Sequence, residues 1–169
     1  RRFGKQVGVN RIIDVLKKEN ADVIGLIETY GSGAIIADSL GYYFYLISSN
    51  LSIMSRYPID ETIQLFRSFN SGGALIRISE EQQIAFYDIW LHYLPDVSDL
   101  NKGKAAVKKY EEDEAQTRIP EIREILKQMT PHTAQSAETP VILVGDFNCD
   151  SHLDWNEQAR PTHLGAFAK

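Results

Sequence analysis

Val141-Ile142-Leu143-Val144-Gly145-Asp146-Phe147-Asn148 is the stretch on which the reading of this chain turns. Pro140 introduces four consecutive apolar residues, which read as a buried strand. Gly145 follows, and then two polar side chains one residue apart. Strand side chains alternate with a period of two, so Asp146 and Asn148 are expected on one face, where the strand leaves the core. A carboxylate and an amide held on a rigid strand end suit phosphate chemistry. The carboxylate can polarise a water or hold a metal, and the amide can donate to oxygens that gain charge in the transition state. Gly, Asp and Asn also make an ordinary turn at a strand end, so the octet alone leaves both readings open.

Working outward from it, the chain before Pro140 alternates helical and strand-like pieces. Val9, Ile12, Ile13 and Leu16 recur at helical spacing over Gln6–Glu19, with Asn20 as a stop. Asp22 to Glu28 is a short apolar run with a carboxylate at its exit, read as a buried strand of the parallel type. Ser32–Leu40 reads as a second helix ended by Gly41. Strand-like pieces follow at Tyr42–Ile47, Leu51–Ser55, Glu61–Phe66, Ala74–Ser79 and Ile84–Leu91, with turn-forming clusters such as Asn70-Ser71-Gly72-Gly73 between them. Lys104–Met129 is helical with an interruption at Pro120, and Thr130–Thr139 is a polar loop. Helix leading to strand without a hairpin, then closely spaced strands, predicts antiparallel hairpins inside an α/β protein. No repeat or internal boundary is visible, so the 169 residues read as one domain, large enough for a real core.

Composition narrows the function classes. With 43% hydrophobic and 24% charged residues the chain is neither disordered nor membrane-like, and no apolar run is long enough for a membrane span. A formal net charge of −5 gives no global attraction to nucleic acid, which argues against a non-specific binder but not against a metal-dependent enzyme. The one cysteine, Cys149, rules out an intramolecular disulfide and a cysteine-rich zinc site. No signal peptide is visible; the chain opens on Arg1-Arg2-Phe3 and reads as trimmed, which leaves its compartment open.

Four further side chains carry candidate chemistry. Glu28 ends a strand, as Asp146 does, and functional groups of α/β sheets collect beyond the carboxyl ends of strands. His92 closes the strand Ile84–Leu91 and could donate a proton or hydrogen bond to phosphoryl oxygens. Arg56, at a strand-to-turn junction, could reach a phosphate, and His152 could line the substrate mouth. Each has a plain structural alternative: a surface carboxylate or cap for Glu28, a partly buried hydrogen-bonded imidazole for His92, a surface Arg beside a turn, a solvated loop His. Arg118 reads as structural. Nucleotide-binding glycine loops, HExxH and GxSxG are absent.

Taken in order, Ala21-Asp22-Val23-Ile24-Gly25-Leu26-Ile27-Glu28-Thr29, Ile53-Met54-Ser55-Arg56-Tyr57-Pro58-Ile59, Trp90-Leu91-His92 and Val144-Gly145-Asp146-Phe147-Asn148 resemble the endonuclease/exonuclease/phosphatase superfamily. The resemblance spans nearly the whole chain. It implies the deoxyribonuclease-I-like four-layer α/β/β/α sandwich and a phosphoesterase that uses Mg²⁺ or Mn²⁺. On that pattern Glu28 is the metal ligand, Asp146 and Asn148 align the attacking water and contact the phosphate, and His92 stabilises the phosphoryl group or assists the leaving group. The implied partner is a phosphoester substrate, with nucleic acid, sugar phosphates and lipid phosphates all compatible.

The chain departs from that pattern in three places. No strand bearing an Asn precedes the first helix, and no terminal Asp-His pair follows Asn148, since His163 lacks the preceding Asp. The position two before His92, often small and polar in the family, is Trp90. The expectation is therefore a sandwich truncated at both ends and, in isolation, poorly active. The competing expectation is a non-catalytic binding or scaffold module that retains the sandwich.

Overall fold

A computed structural model describes residues 6–96, residues 104–151 and Gln158. They fall into two compact units: one holds the chain up to Trp90 together with Ile125–Asp146, the other Leu91–Glu124 and the residues from Phe147 onward. The elements in chain order are α1 (Gln6–Glu19), β1 (Val23–Ile27), α2 (Gly33–Leu40), β2 (Tyr43–Leu46), β3 (Leu51–Ser55), β4 (Ile59–Gln64), β5 (Ser71–Arg77), β6 (Gln83–Trp90), α3 (Lys104–Gln116), α4 (Arg118–Thr133) and β7 (Val141–Asp146). Among the described residues no helix is long and apolar enough to cross a membrane.

The first unit contains both sheets, ordered β1-β3-β2 and β4-β5-β6-β7. Alternation along the strands decides which layer each side chain joins. Ile24 and Met54 face outward and pack with Val9 and Ile13 of α1 and Ile36 and Ala37 of α2. Ile53 faces inward and packs with Ala74, Ile76 and Phe86 of the other sheet, with Val23 and Val144 at the border of that cluster. On the far face of the second sheet, buried Tyr87 shares a hydrogen bond with His132 near the end of α4. The layers are thus helix, sheet, sheet, helix, as the resemblance implies. The helix stops behave as read: Gly41 takes the left-handed conformation at φ 69° and Asn20 at φ 51°.

Several local readings are corrected. β1 pairs antiparallel with β3, Val23 facing Ser55 and Ile27 facing Leu51, and is not a parallel strand. Its continuous apolar run reflects burial on both faces, which periodicity cannot distinguish from parallel pairing. The one parallel pair among the described strands is β6–β7. Ser71-Gly72-Gly73, expected as part of a turn, begins β5. Its glycines serve close packing: a Cβ on Gly72 would fall 2.5 Å from Ile47 Cγ2, and one on Gly73 2.5 Å from Tyr87 Cδ1. The helical break comes at Thr117 rather than Pro120, because a proline in the first turn of α4 costs no intrahelical hydrogen bond. α4 then runs through Pro131 to Thr133, into the stretch expected as loop.

Candidate functional site

Within the first unit, β1 and β7 leave the core at a common rim. Val23 packs into the cluster that holds Phe86, and two residues on a Cβ at Gly25 would lie 2.8 Å from Val144 Cγ2 and 2.9 Å from Asp88 Cγ. Ile47, just past the β2 end that pairs with β3, meets Gly72, which is registered with Asp88. Advancing along β1 therefore matches advancing along β6 and β7. Glu28 is the first residue past β1 and Asp146 the last of β7, registered with Trp90. Both carboxylates are half-buried.

The backbone around these exits is shaped by specific constraints. Gly145 has φ 137°, and a Cβ there would lie 1.9 Å from the Ile89 carbonyl oxygen, so only glycine lets β7 approach β6 at this point. Glu28 occupies the left-handed region at φ 55°, an uncommon conformation for a residue without special tolerance of it. Its amide donates to Asn50 Oδ1 at 3.1 Å, and Asn50 is 1% exposed. A strained backbone persists where surrounding structure enforces it, and such residues cluster at functional sites.

The second unit carries the other two candidates. β7 ends at Asp146, so the alternation expected to continue to Asn148 stops there. Asn148 instead adopts φ 50°, and its Nδ2 donates to the Leu91 carbonyl at 2.8 Å, beside His92. The imidazole of His92 engages Leu94 through Nδ1, 3.0 Å from the carbonyl and 3.2 Å from the amide, and stacks on Tyr93. The loop bearing it is held from α4: the His92 amide donates to Glu121 Oε2 at 2.9 Å, and the Arg118 guanidinium donates to the carbonyls of His92 at 3.3 Å and Pro95 at 3.0 Å. Arg118 also reaches the Tyr110 hydroxyl at 2.8 Å and Glu114 Oε1 at 3.1 Å. Arg118 and Glu121 are 2% and 6% exposed, so this is an interior polar cradle rather than a surface pair.

Two residues named from the sequence stand elsewhere. Arg56 follows β3 at the end of the sheet where β1 begins, away from Glu28, and is engaged by Asp22 at 3.2 Å, Asn20 Oδ1 at 2.7 Å and the Tyr42 hydroxyl at 2.9 Å. His152 lies outside the described residues. Sequence reasoning missed Asn50 and Glu121 and took Arg118 as merely structural. Arg118, Glu121 and Ile125 fall on one stripe of α4, and two opposite charges on an otherwise apolar stripe are the signal that marks them.

The donor chemistry at the rim of the first unit suits a hard cation. Glu28 and Asp146 offer carboxylate oxygens, and Mg²⁺ takes one or two carboxylates while retaining waters. Among the described residues no group of three or more His, Cys, Asp or Glu side chains gathers to hold a metal ion, so a cation held by these two carboxylates would need water or substrate oxygens to complete its shell.

Comparison with known proteins places these features in context. The Endonuclease/Exonuclease/phosphatase family matches residues 4–166. The uncharacterised Caenorhabditis elegans protein F14F9.5 is 27% identical over 166 residues, covering 92% of this chain and 52% of its own length. Truncated Caenorhabditis elegans TDP2, a crystal structure, superposes with a TM-score of 0.61 at 13% identity, covering 85% of this chain and 56% of that one, a likeness of fold alone. The chain thus spans about half the length of each of these two proteins.

Proposed function

Because the chain belongs to the endonuclease/exonuclease/phosphatase family, we propose that it is a phosphoester hydrolase whose reacting groups are Glu28, His92, Asp146 and Asn148. The observation that carries this reading is Glu28: a half-buried carboxylate in a strained left-handed conformation, enforced by buried Asn50, at the rim where Asp146 leaves β7.

The reaction is in-line displacement at phosphorus by water. Glu28 would hold the cation, Mg²⁺ or Mn²⁺, which when bound would supply charge neutralisation at the phosphate oxygens. Asp146 orients the attacking water and draws its proton, and Asn148 contacts the phosphate. His92, its ring fixed through Nδ1, donates toward the phosphoryl oxygens or the leaving group.

The test is cation-dependent release of p-nitrophenol from bis(p-nitrophenyl) phosphate by the longest available form of the protein. Asp146→Ala and Glu28→Ala should each lower turnover by orders of magnitude, with cation affinity falling most for Glu28→Ala. Unchanged turnover in both variants defeats the assignment and moves the chain to the other reading, a sandwich used for binding.

A further inference from the structure

The connection from β1 to α2 is strained along its length. Glu28, Tyr30 and Gly31 take positive φ, at 55°, 44° and 93°, and only the last of them is a glycine. A short connection does not settle in that conformation unless contacts at its ends enforce it. Two side chains supply those contacts, and each is drawn away from its ordinary local duty. Asn50 lies in the turn between β2 and β3, where an asparagine normally bonds its own turn or takes the left-handed conformation. Here Ser48 Oγ closes the turn instead, accepting from the amides of Asn50 and Leu51 at 3.1 Å each, and Asn50 has no positive φ. Its Oδ1 accepts from the Glu28 amide at 3.1 Å, while Nδ2 is buried without a partner. Ser32 stands at the N-cap of α2, where a serine oxygen normally accepts from the first turn. It makes no such bond: its Oγ donates to the Thr29 carbonyl at 2.7 Å, and its amide donates to the same oxygen at 3.0 Å.

We infer that Asn50 and Ser32 are positioning residues that clamp the Glu28–Gly31 connection from either side and so preset the Glu28 carboxylate for a divalent cation. One clamp fixes the peptide entering Glu28 and the other the peptide leaving Thr29, so the direction of the Glu28 side chain is set before a cation arrives. Carboxylates that hold metals depend on such hydrogen-bonded backing, and the dependence is greatest where few protein ligands share the load. Among the described residues no group of three or more potential metal ligands forms, so a loosened Glu28 has no substitute. The unpaired Nδ2 fits this role, since a carboxamide buried to 1% exposure gives up water for the single bond that reaches Glu28. The inference rests on Glu28 being the cation ligand, and the experiment separates the two.

The full chain is titrated with Mn²⁺ in the absence of substrate, free Mn²⁺ being read by its electron spin resonance, and the same variants are unfolded in urea. The binding lost in Glu28→Ala defines the site. Asn50→Leu keeps the side-chain volume and removes the acceptor, and Mn²⁺ affinity at that site should fall roughly tenfold or more while the protein stays folded. Ser32→Ala, which takes no cap bond from α2, should weaken binding in the same direction by a smaller factor. Ser52→Ala is the control: Ser52 is fully buried on β3 with no partner for its hydroxyl, and its removal should leave affinity as it was. Wild-type affinity in Asn50→Leu overturns the clamp, and so does an equal loss in Ser52→Ala, which would mark a general loosening. If Asn50→Leu does not fold, Ser32→Ala decides, and wild-type affinity there overturns the clamp. Mn²⁺ binding that is absent, or that Glu28→Ala leaves intact, sinks the cation reading and the clamp with it; Glu28-dependent binding untouched by Asn50→Leu sinks the clamp alone.

Discussion

Arg118 and Asp88 both carry an ionisable group into the interior, and the fold treats them in opposite ways. Arg118 is 2% exposed and every arm of its guanidinium is engaged, by Glu114, Tyr110 and the carbonyls of His92 and Pro95. Asp88 is fully buried on β6 against Gly25, and neither carboxylate oxygen makes a hydrogen bond of acceptable geometry. Burial pushes its pKa up to about 7, and the nearby amides of Ile89 and Leu26 pull the other way only in part. A satisfied buried charge holds a particular backbone path, here the loop that carries His92. An unsatisfied one holds nothing and leaves stability tied to its protonation.

The comparison can be broken most forcefully at Arg118. Arg118→Met should cost about 3–5 kcal/mol in urea unfolding, because it strands Glu114 and two carbonyls without their partner. On the proposed role of His92, Arg118 would act on chemistry only by positioning the loop that bears it, so kcat should fall in the variant that remains folded while KM changes little, and Arg118→Lys should restore part of it. A drop confined to stability would make Arg118 a packing residue and nothing more.

Asp88→Asn should do the reverse. Its folded pKa lies above the ordinary value of 3.8, so the native state holds a proton that the unfolded chain releases earlier. The contribution is fully favourable below about pH 4, declines as pH rises, and is lost above about pH 7. At pH 8 the neutral amide should therefore raise stability by roughly 2 to 4 kcal/mol, and the pH dependence of unfolding between those limits should flatten. A pH profile identical to that of the wild type would show that the Asp88 carboxylate is solvated or paired.

Arg56 sets the lower end of the scale. It makes as many polar contacts as Arg118, yet its side chain is 42% exposed beside Asp22 at 56%. Water already satisfies both groups and salt screens them, so Arg56→Ala should leave the melting midpoint and turnover where they were, within error. A marked loss of turnover alone would return Arg56 to the substrate path.

The same contrast explains how much could be read from the chain. The sandwich was legible because its elements announce themselves locally: apolar spacing over α1, Gly41 as a stop, and the Val141–Val144 run before Gly145. Strand partners were less so. β1 shows the same apolar run whether it pairs parallel or antiparallel, and Ser71-Gly72-Gly73 carries turn residues that packing against Ile47 and Tyr87 recruits into a strand. At the candidate site the carboxylates stood out because polar residues at strand exits break a pattern. Asn50 did not, since its value lies in an amide contacted from Glu28, 22 positions away in sequence. The different fates of Arg118 and Asp88 were equally hidden, because both are charges amid apolar neighbours and only their partners separate them.

The parallel joint between β6 and β7 has a bearing on assembly. Every other strand pair can form from a hairpin or a nearby neighbour, but residues 91–140 must be traversed before β7 reaches β6. Closing so long a segment carries an entropic penalty that nearby contacts escape, and pairings between distant parts of a chain slow folding. During synthesis the hairpins of β4, β5 and β6 exist before Asp146 has been made. The rim at Asp146 should thus take shape after the β4–β5–β6 hairpins, and any site built on it would be completed late in folding.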